Sequence, residues 1–222
     1  AASPVPPMAP SPYLPVTRRF VTPLYIRPED VPELAYLPGP QRSLVEWAAE
    51  EVRELNSQNE PLDRDVIWAA KSQALEVIFR APRSRSRQRD FERFRAREGR
   101  GLEDFALWCA LREQQPEGEL PDVNTVASQR IELAARIEYH SWLQLVVDEQ
   151  LGGAQRAAKT AGMGIGIMQD LAVGVHSQGS DIWSSPEIFA RTIEVGAPPD
   201  MYNQQGQNWS QPPWNPKALV ES

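Results

Sequence analysis

Asp170 closes the run Met163-Gly164-Ile165-Gly166-Ile167-Met168-Gln169. A short apolar run bounded by glycine has the character of a buried parallel strand. A carboxylate at the carboxyl end of such a strand sits where α/β folds place ligand-binding and catalytic groups. An aspartate there can also cap the next turn or form a structural ion pair, so both roles stay open. A second group lies between Asp200 and Trp214, where Tyr202, Trp209 and Trp214 interleave with Asn203, Gln204, Gln205, Gln207 and Asn208. Aromatic faces pack on the C–H faces of sugar rings, and amides supply the donors and acceptors that hydroxyls need, so this mixture suits carbohydrate. It equally suits a solvated loop whose tryptophans fold back on the core.

Other chemistry is weaker. The run Arg83 to Arg89 is basic, but Asp90, Glu92 and Glu98 follow and the net charge is −7, so it reads as a solvated surface segment and not a nucleic-acid patch. Gly162, Gly164 and Gly166 lie before or within the strand candidate, which fails the context of a phosphate loop. His140 and His176 have no serine or cysteine partner at a recognisable spacing. Two histidines and one cysteine, Cys109, are too few for most zinc sites and exclude a disulfide within the chain, in keeping with a reducing cytoplasm. Asn208-Trp209-Ser210 matches a glycosylation acceptor, but without a secretion signal the match is fortuitous. Mean hydropathy of −0.48 and the lack of a long apolar run exclude a membrane span.

The 222 residues, 41 % hydrophobic, can bury a core. Residues 1–16 are proline-rich and read as extended loop. Phe20-Val21-Thr22-Pro23-Leu24-Tyr25-Ile26 is a strand candidate, held to an edge by Pro23, and Pro28 to Pro40 is loop. Leu44, Trp47, Ala48, Val52 and Leu55 then predict an amphipathic helix. A second helix opens near Pro61, with Asp63 or Asp65 at its N-terminus and Val66, Ala69, Ala70, Leu75, Ile78 and Phe79 on one face. Phe91 and Phe94 mark a third helix, and the residues after Gly99 and Gly101 a fourth. The longest run spans Thr125 to Ala161, with Gly152-Gly153 expected to kink or divide it. Ser180 to Arg191 predicts a short helix and Ile193-Glu194-Val195 a small strand, with loop from Gly196 onward. A β/α barrel needs eight strand–helix units. With two or three strands legible, this chain does not close one alone.

With these pieces in order, the sequence resembles the 4-alpha-glucanotransferases, the amylomaltase or disproportionating-enzyme family. Ser11-Pro12-Tyr13, Arg18-Arg19-Phe20 and Thr22 to Ile26 look like the family's N-terminal substrate-side loop. Phe94 to Glu98 and Leu102 to Leu107 look like its helical insertion, and Gly166 to Val175 like a barrel strand and the loop after it. Val195-Gly196-Ala197-Pro198-Pro199-Asp200, through Gly206-Gln207-Asn208-Trp209 and Pro212-Pro213, looks like the flexible loop over the acceptor sites, the most specific of these motifs.

The resemblance implies an α/β fold: a partial (β/α)8 TIM-type barrel, helix-rich, with a large helical insertion. Its expected divisions are 1–40 (substrate-side loop and edge strand), 41–162 (helical insertion and barrel helix) and 163–222 (barrel strand and acceptor-side loop). It implies a cytoplasmic enzyme that cuts an α-1,4-glucan, holds the donor part as a covalent glycosyl–enzyme and passes it to another sugar's 4-hydroxyl. No metal or organic cofactor, nucleic acid or membrane partner is expected. Tyr13 is implied beside the cleft, Asp170 on the donor glucose, and Asp200, Tyr202, Gln207 and Trp209 on the acceptor side.

There are departures. Ala172 stands where the family commonly has proline. The family's nucleophile lies in an Arg-Ile-Asp-His segment downstream of the flexible loop. Here only Arg130-Ile131-Glu132 and Arg136-Ile137-Glu138 approach it, upstream and within a helical pattern. The chain is therefore read as an internal fragment with no catalytic residue of its own. A non-catalytic glucan-binding module and a related glycoside hydrolase are the alternatives.

Overall fold

The structure is a computed structural model that describes residues 5–6 and 13–221. Ser11 and Pro12 of the Ser-Pro-Tyr string, and most of the proline-rich start, lie outside the described residues. Seven α-helical elements follow one another: α1 (Gly39–Arg53), α2 (Arg64–Phe79), α3 (Arg85–Gln114), α4 (Ala127–Glu132), α5 (Ala134–Thr160), α6 (Ser180–Ser184) and α7 (Pro216–Glu221). Two strands, β1 (Val195–Ala197) and β2 (Gln207–Gln211), pair antiparallel. Among the described residues the fold is helix-rich with a single two-stranded sheet. The chain forms two compact units. One comprises the described residues of Ala1–Val21, Glu103–Ile137 and Asp170–Ser222, the other Thr22–Leu102 and Glu138–Gln169.

In the second unit α1 packs on α2. Asp63 caps α2, its Oδ1 accepting from the amides of Asp65 (3.0 Å) and Val66 (3.1 Å), as its position predicts. The helix predicted from Leu44 and Trp47 is α1, but it turns a different face inward. Val45 and Ala48 are buried while Leu44 and Trp47 are exposed. Two apolar stripes run along this helix, and the stripe with the smaller side chains meets the alanine face of α2, Ala70 and Ala74. Trp68 is buried in α2, and Val66, expected on the core face, is exposed. Around α5, Phe79 meets Tyr139 edge-on at 5.2 Å and Trp142 at 5.4 Å.

The Arg83–Arg89 run is largely exposed, as its composition predicts, but two of its arginines turn inward. Arg83 pairs with Glu138 (2.8 Å), and Arg87 reaches both Glu33 (3.0 Å) and Glu149. Glu33 is buried, and its Oε1 also accepts from the indole N–H of Trp142 at 2.9 Å. Burying a carboxylate this deeply demands such partners.

Both predicted strands outside the hairpin are absent, for one reason. Phe20–Ile26 contains a 3-10 turn, Pro23–Tyr25, and the Lys71 ammonium caps the carbonyls of Leu24 and Ile26. The Gln150 amide then pairs with Arg27, accepting from its N–H (2.8 Å) and donating to its carbonyl (2.9 Å). Met163–Met168 is likewise exposed coil. Gln155 accepts from the Ile167 amide at 2.7 Å and donates to the Ile165 carbonyl at 3.2 Å. In each place a side chain meets the backbone groups that a neighbouring strand would otherwise satisfy. Gly166, with φ of 85°, has no room for a Cβ, which would fall 2.5 Å from Gln155 Oε1.

One expected helix break holds and the other moves. Gly99, at φ 61° and ψ −147°, interrupts α3 where two helices are expected. Gly152-Gly153 lies inside an unbroken α5, and the division of the predicted Thr125–Ala161 run falls at Leu133. The buried stretch of residues 139–147 anchors α5, and the roughly 1 kcal/mol that each helical glycine costs does not break it. Beyond Gly196, where loop was expected, the chain forms β2 and α7.

Candidate functional site

The first unit gathers three segments, two of which carry predicted site residues. Residues 13–18 run beside residues 173–181. The His176 amide donates to the Pro15 carbonyl (2.8 Å), and the Arg18 amide to Asp181 Oδ2 (2.8 Å). The Arg18 guanidinium reaches the Val173 carbonyl at 3.3 Å. Gly179 permits this approach, because a Cβ there would lie 2.5 Å from the Val16 carbonyl oxygen. The third segment is the hairpin. Gln211, buried at the end of β2, donates from Nε2 to the Tyr13 carbonyl at 2.9 Å. Its side chain also fills the space where Gly174 lacks a Cβ.

The hairpin's base and tip are built differently. At the base Phe189 stacks on Trp214 (4.6 Å between centroids, 26°) and the two form a backbone bridge. The Ala190 amide donates to the Pro213 carbonyl and that of Asn215 to Ile188, both at 2.8 Å. Trp214 fits neither reading offered for the tryptophans in full, since it stacks on buried Phe189 yet stays 40 % exposed. Between the strands, Gly196 lies opposite Asn208, and a Cβ there would fall 2.0 Å from the Gln207 carbonyl oxygen.

At the tip, Asp200 Oδ1 accepts from the amides of Tyr202 (2.8 Å) and Asn203 (2.7 Å), an Asx turn that leaves the second carboxylate oxygen outward. Gly206 closes the turn at φ 72°. Tyr202 is 90 % exposed, and Trp209 is exposed with its indole N–H on Gln207 Oε1 at 2.9 Å. The hairpin thus joins Asp200 to Tyr202 and Gln207 to Trp209. The Tyr13 backbone is tied to β2 through Gln211, with its ring exposed. Asp170 is exposed and has no hydrogen bond or ion pair among the described residues. The capping and ion-pair roles therefore have no counterpart here.

Sequence reasoning missed Gln211, Gly174 and Asp181. Residue type does not separate Gln211 from the five other amides of the loop; only its inward position in β2 does. Asp200 carries a structural duty for which the Asp-x-x-Asn spacing was a usable signal. Burial pushes the Cys109 thiol well above its ordinary pKa, with Glu113 adding to the effect, so it is no nucleophile. Among the described residues no three His, Cys, Asp or Glu side chains are placed to hold a metal ion, and no helix is long and apolar enough to cross a membrane.

The first unit is helix-rich and presents an exposed aromatic and amide hairpin, and comparison with known proteins gives the family. A 4-alpha-glucanotransferase family model matches residues 2–222, and the chain belongs to that family. It is 47 % identical over 223 residues to a 4-alpha-glucanotransferase of Mycobacterium tuberculosis, covering 97 % of this chain and 30 % of the relative. The crystal structure of amylomaltase from Corynebacterium glutamicum superposes with a TM-score of 0.88 at 48 % identity, covering all of this chain and 30 % of that one. The amylomaltase from Streptococcus agalactiae in complex with acarbose shares the fold, with a TM-score of 0.75 at 19 % identity, over 95 % of this chain and 44 % of its own. The chain spans about a third of the length of the curated relatives it matches.

Proposed function

We propose that the chain is part of a 4-alpha-glucanotransferase, which moves a segment of an α-1,4-glucan to the 4-hydroxyl of an acceptor sugar by retaining double displacement. The observation that carries this is the 195–211 hairpin. It exposes one aromatic and one polar group in each of two pairs, Asp200 with Tyr202 and Gln207 with Trp209, on a frame rigidly fixed at its base. A pyranose stacks on an aromatic face while neighbouring oxygens and amides bind its hydroxyls. Membership of the glucanotransferase family across residues 2–222 supports the reaction.

In this reading the exposed ring of Tyr13 lines the sugar cleft and Asp170 accepts from a donor-glucose hydroxyl. The helices of residues 41–162 are an insertion in a (β/α)8 barrel to which residues 163–222 contribute. No Arg-Ile-Asp-His string occurs in the 222 residues, so the nucleophile and general acid come from elsewhere in the enzyme. Such chemistry needs two carboxyl groups flanking one glycosidic bond and no metal or organic cofactor.

Glucose release from maltotriose tests this. The isolated chain should release none. The full-length enzyme should lose acceptor affinity about tenfold when Trp209→Ala removes a stacking face. Disproportionation by the isolated chain, or unchanged acceptor dependence in the full-length variant, would refute the assignment.

A further inference from the structure

The first unit holds a pocket of about 290 Å³ between the turn at residues 118–123 and the segment 177–191, apart from the hairpin. Arg112, at the end of α3, lines it and is itself 94 % buried, leaving 6 % exposed. Its Nη1 donates to the Gly118 carbonyl at 2.8 Å, and its guanidinium lies 5.6 Å from the centre of the Trp108 ring. Carbonyl dipoles and a ring face satisfy its geometry, but neither carries a full opposite charge. Among the described residues no carboxylate pairs with Arg112.

The neighbourhood registers that uncompensated charge. Burial alone acts on the Arg112 guanidinium and pulls its pKa down, with no acid raising it. Burial, and then the charge of Arg112, hold the His176 imidazole below its usual range. Asp122 and Glu119 also line the pocket. The Asp122 carboxylate accepts from the Asn124 amide at 2.8 Å, within its own turn, and neither acid offsets the guanidinium. Across the pocket stands a second cation, the exposed Arg191, with Ser177 and Gln178 adding polar groups. A buried guanidinium without a counter-charge is costly, and a doubly charged oxyanion is the partner its planar fork fits.

We propose that this pocket is a binding site for a phosphate-class oxyanion, held between Arg112 and Arg191. Inorganic phosphate and the phosphate group of an ester share that chemistry. The volume admits either phosphate alone or phosphate with a small attached body against Trp183, whose indole N–H is already taken by the Pro121 carbonyl at 2.8 Å.

The test is a titration of the full chain with inorganic phosphate, glucose 1-phosphate, glucose, and sodium chloride at matched ionic strength, read by calorimetry and by melting temperature. Phosphate or glucose 1-phosphate should bind saturably at one site and raise the melting temperature above the chloride control. Tighter binding of the ester would identify an esterified ligand, and equal affinities the free ion. Arg191→Gln should weaken phosphate about tenfold and leave the ligand-free melting temperature unchanged, because its side chain is exposed. Arg112→Lys, which keeps the charge but loses the fork, should weaken it as well. No binding beyond the chloride control, an unchanged affinity in Arg191→Gln, or glucose binding as well as its phosphate would each overturn the proposal. None of these readouts depends on glucan transfer.

Discussion

Replacing Gly196 by alanine tests whether the hairpin is a fixed frame. The new Cβ would lie 2.0 Å from the Gln207 carbonyl oxygen and 3.1 Å from its carbon, both backbone atoms that no rotamer change can move. Relieving the contact to an ordinary 3.2 Å or so requires β1 and β2 to part by about 1 Å. A 2.9 Å hydrogen bond stretched by that amount is lost. The ladder here comprises three residue pairs, Val195 with Gln211, Gly196 with Asn208 and Ala197 with Gln207. Losing the bonds of the last two costs about 1–3 kcal/mol at 0.5–1.5 kcal/mol each. That raises the open population of the hairpin by roughly 5- to 150-fold. The Phe189–Trp214 stack lies outside the pairing and should hold the base, so global melting should change by only a few degrees. Hydrogen exchange of a peptide covering residues 195–211 should accelerate accordingly. Gly39→Ala is the control, since its Cβ would meet nothing within 4 Å. Unchanged exchange in Gly196→Ala would show that the strands part without loss of pairing, and the rigid-frame argument would fail.

Three further outcomes are expected. Glu33→Gln keeps an acceptor for Trp142 but removes the buried one of the two counter-charges on Arg87, leaving the more exposed Glu149, and should cost about 2 kcal/mol, seen as a melting temperature lowered by roughly 6 °C. Asp170→Asn in the full-length enzyme should slow transfer from maltotriose roughly ten- to hundred-fold, the worth of a charged acceptor on a sugar hydroxyl tightened at the transition state. It should leave melting unchanged, because the exposed carboxylate has no partner among the described residues; the reverse pattern would make it a structural aspartate. His176 is held neutral in the fold, first by burial and then by Arg112, so the unfolded chain takes up a proton as pH falls through about 6.5 while the folded chain does not. Its contribution is therefore complete above that pH and declines below it, and His176→Gln should flatten the melting temperature between about pH 6.5 and 5; an unaltered slope would remove His176 from the cause.

The sequence determined what local chemistry and period could settle. Asp63 falls just before an apolar-periodic run and caps α2, and Gly99 divides the helical run of α3. The aromatic and amide residues between Asp200 and Trp214 were legible as a sugar-type surface from their types alone. Tertiary structure decided which side of each pattern was used. Leu44 and Val45 belong to adjacent stripes of one helix, and only the alanine face of α2 selects between them. Apolar content made strands of Phe20–Ile26 and Met163–Met168 on paper, yet a strand is completed by a neighbour's backbone. Here the distant side chains of Lys71 and Gln155 supply those hydrogen bonds, 45 and 12 residues away from Ile26 and Ile167. Gln211 was one amide among six until β2 turned it inward onto the Tyr13 carbonyl, 198 residues distant. Composition and periodicity encode what a segment can bury; which partner it meets depends on contacts far apart in the chain, and these exist only once it has folded.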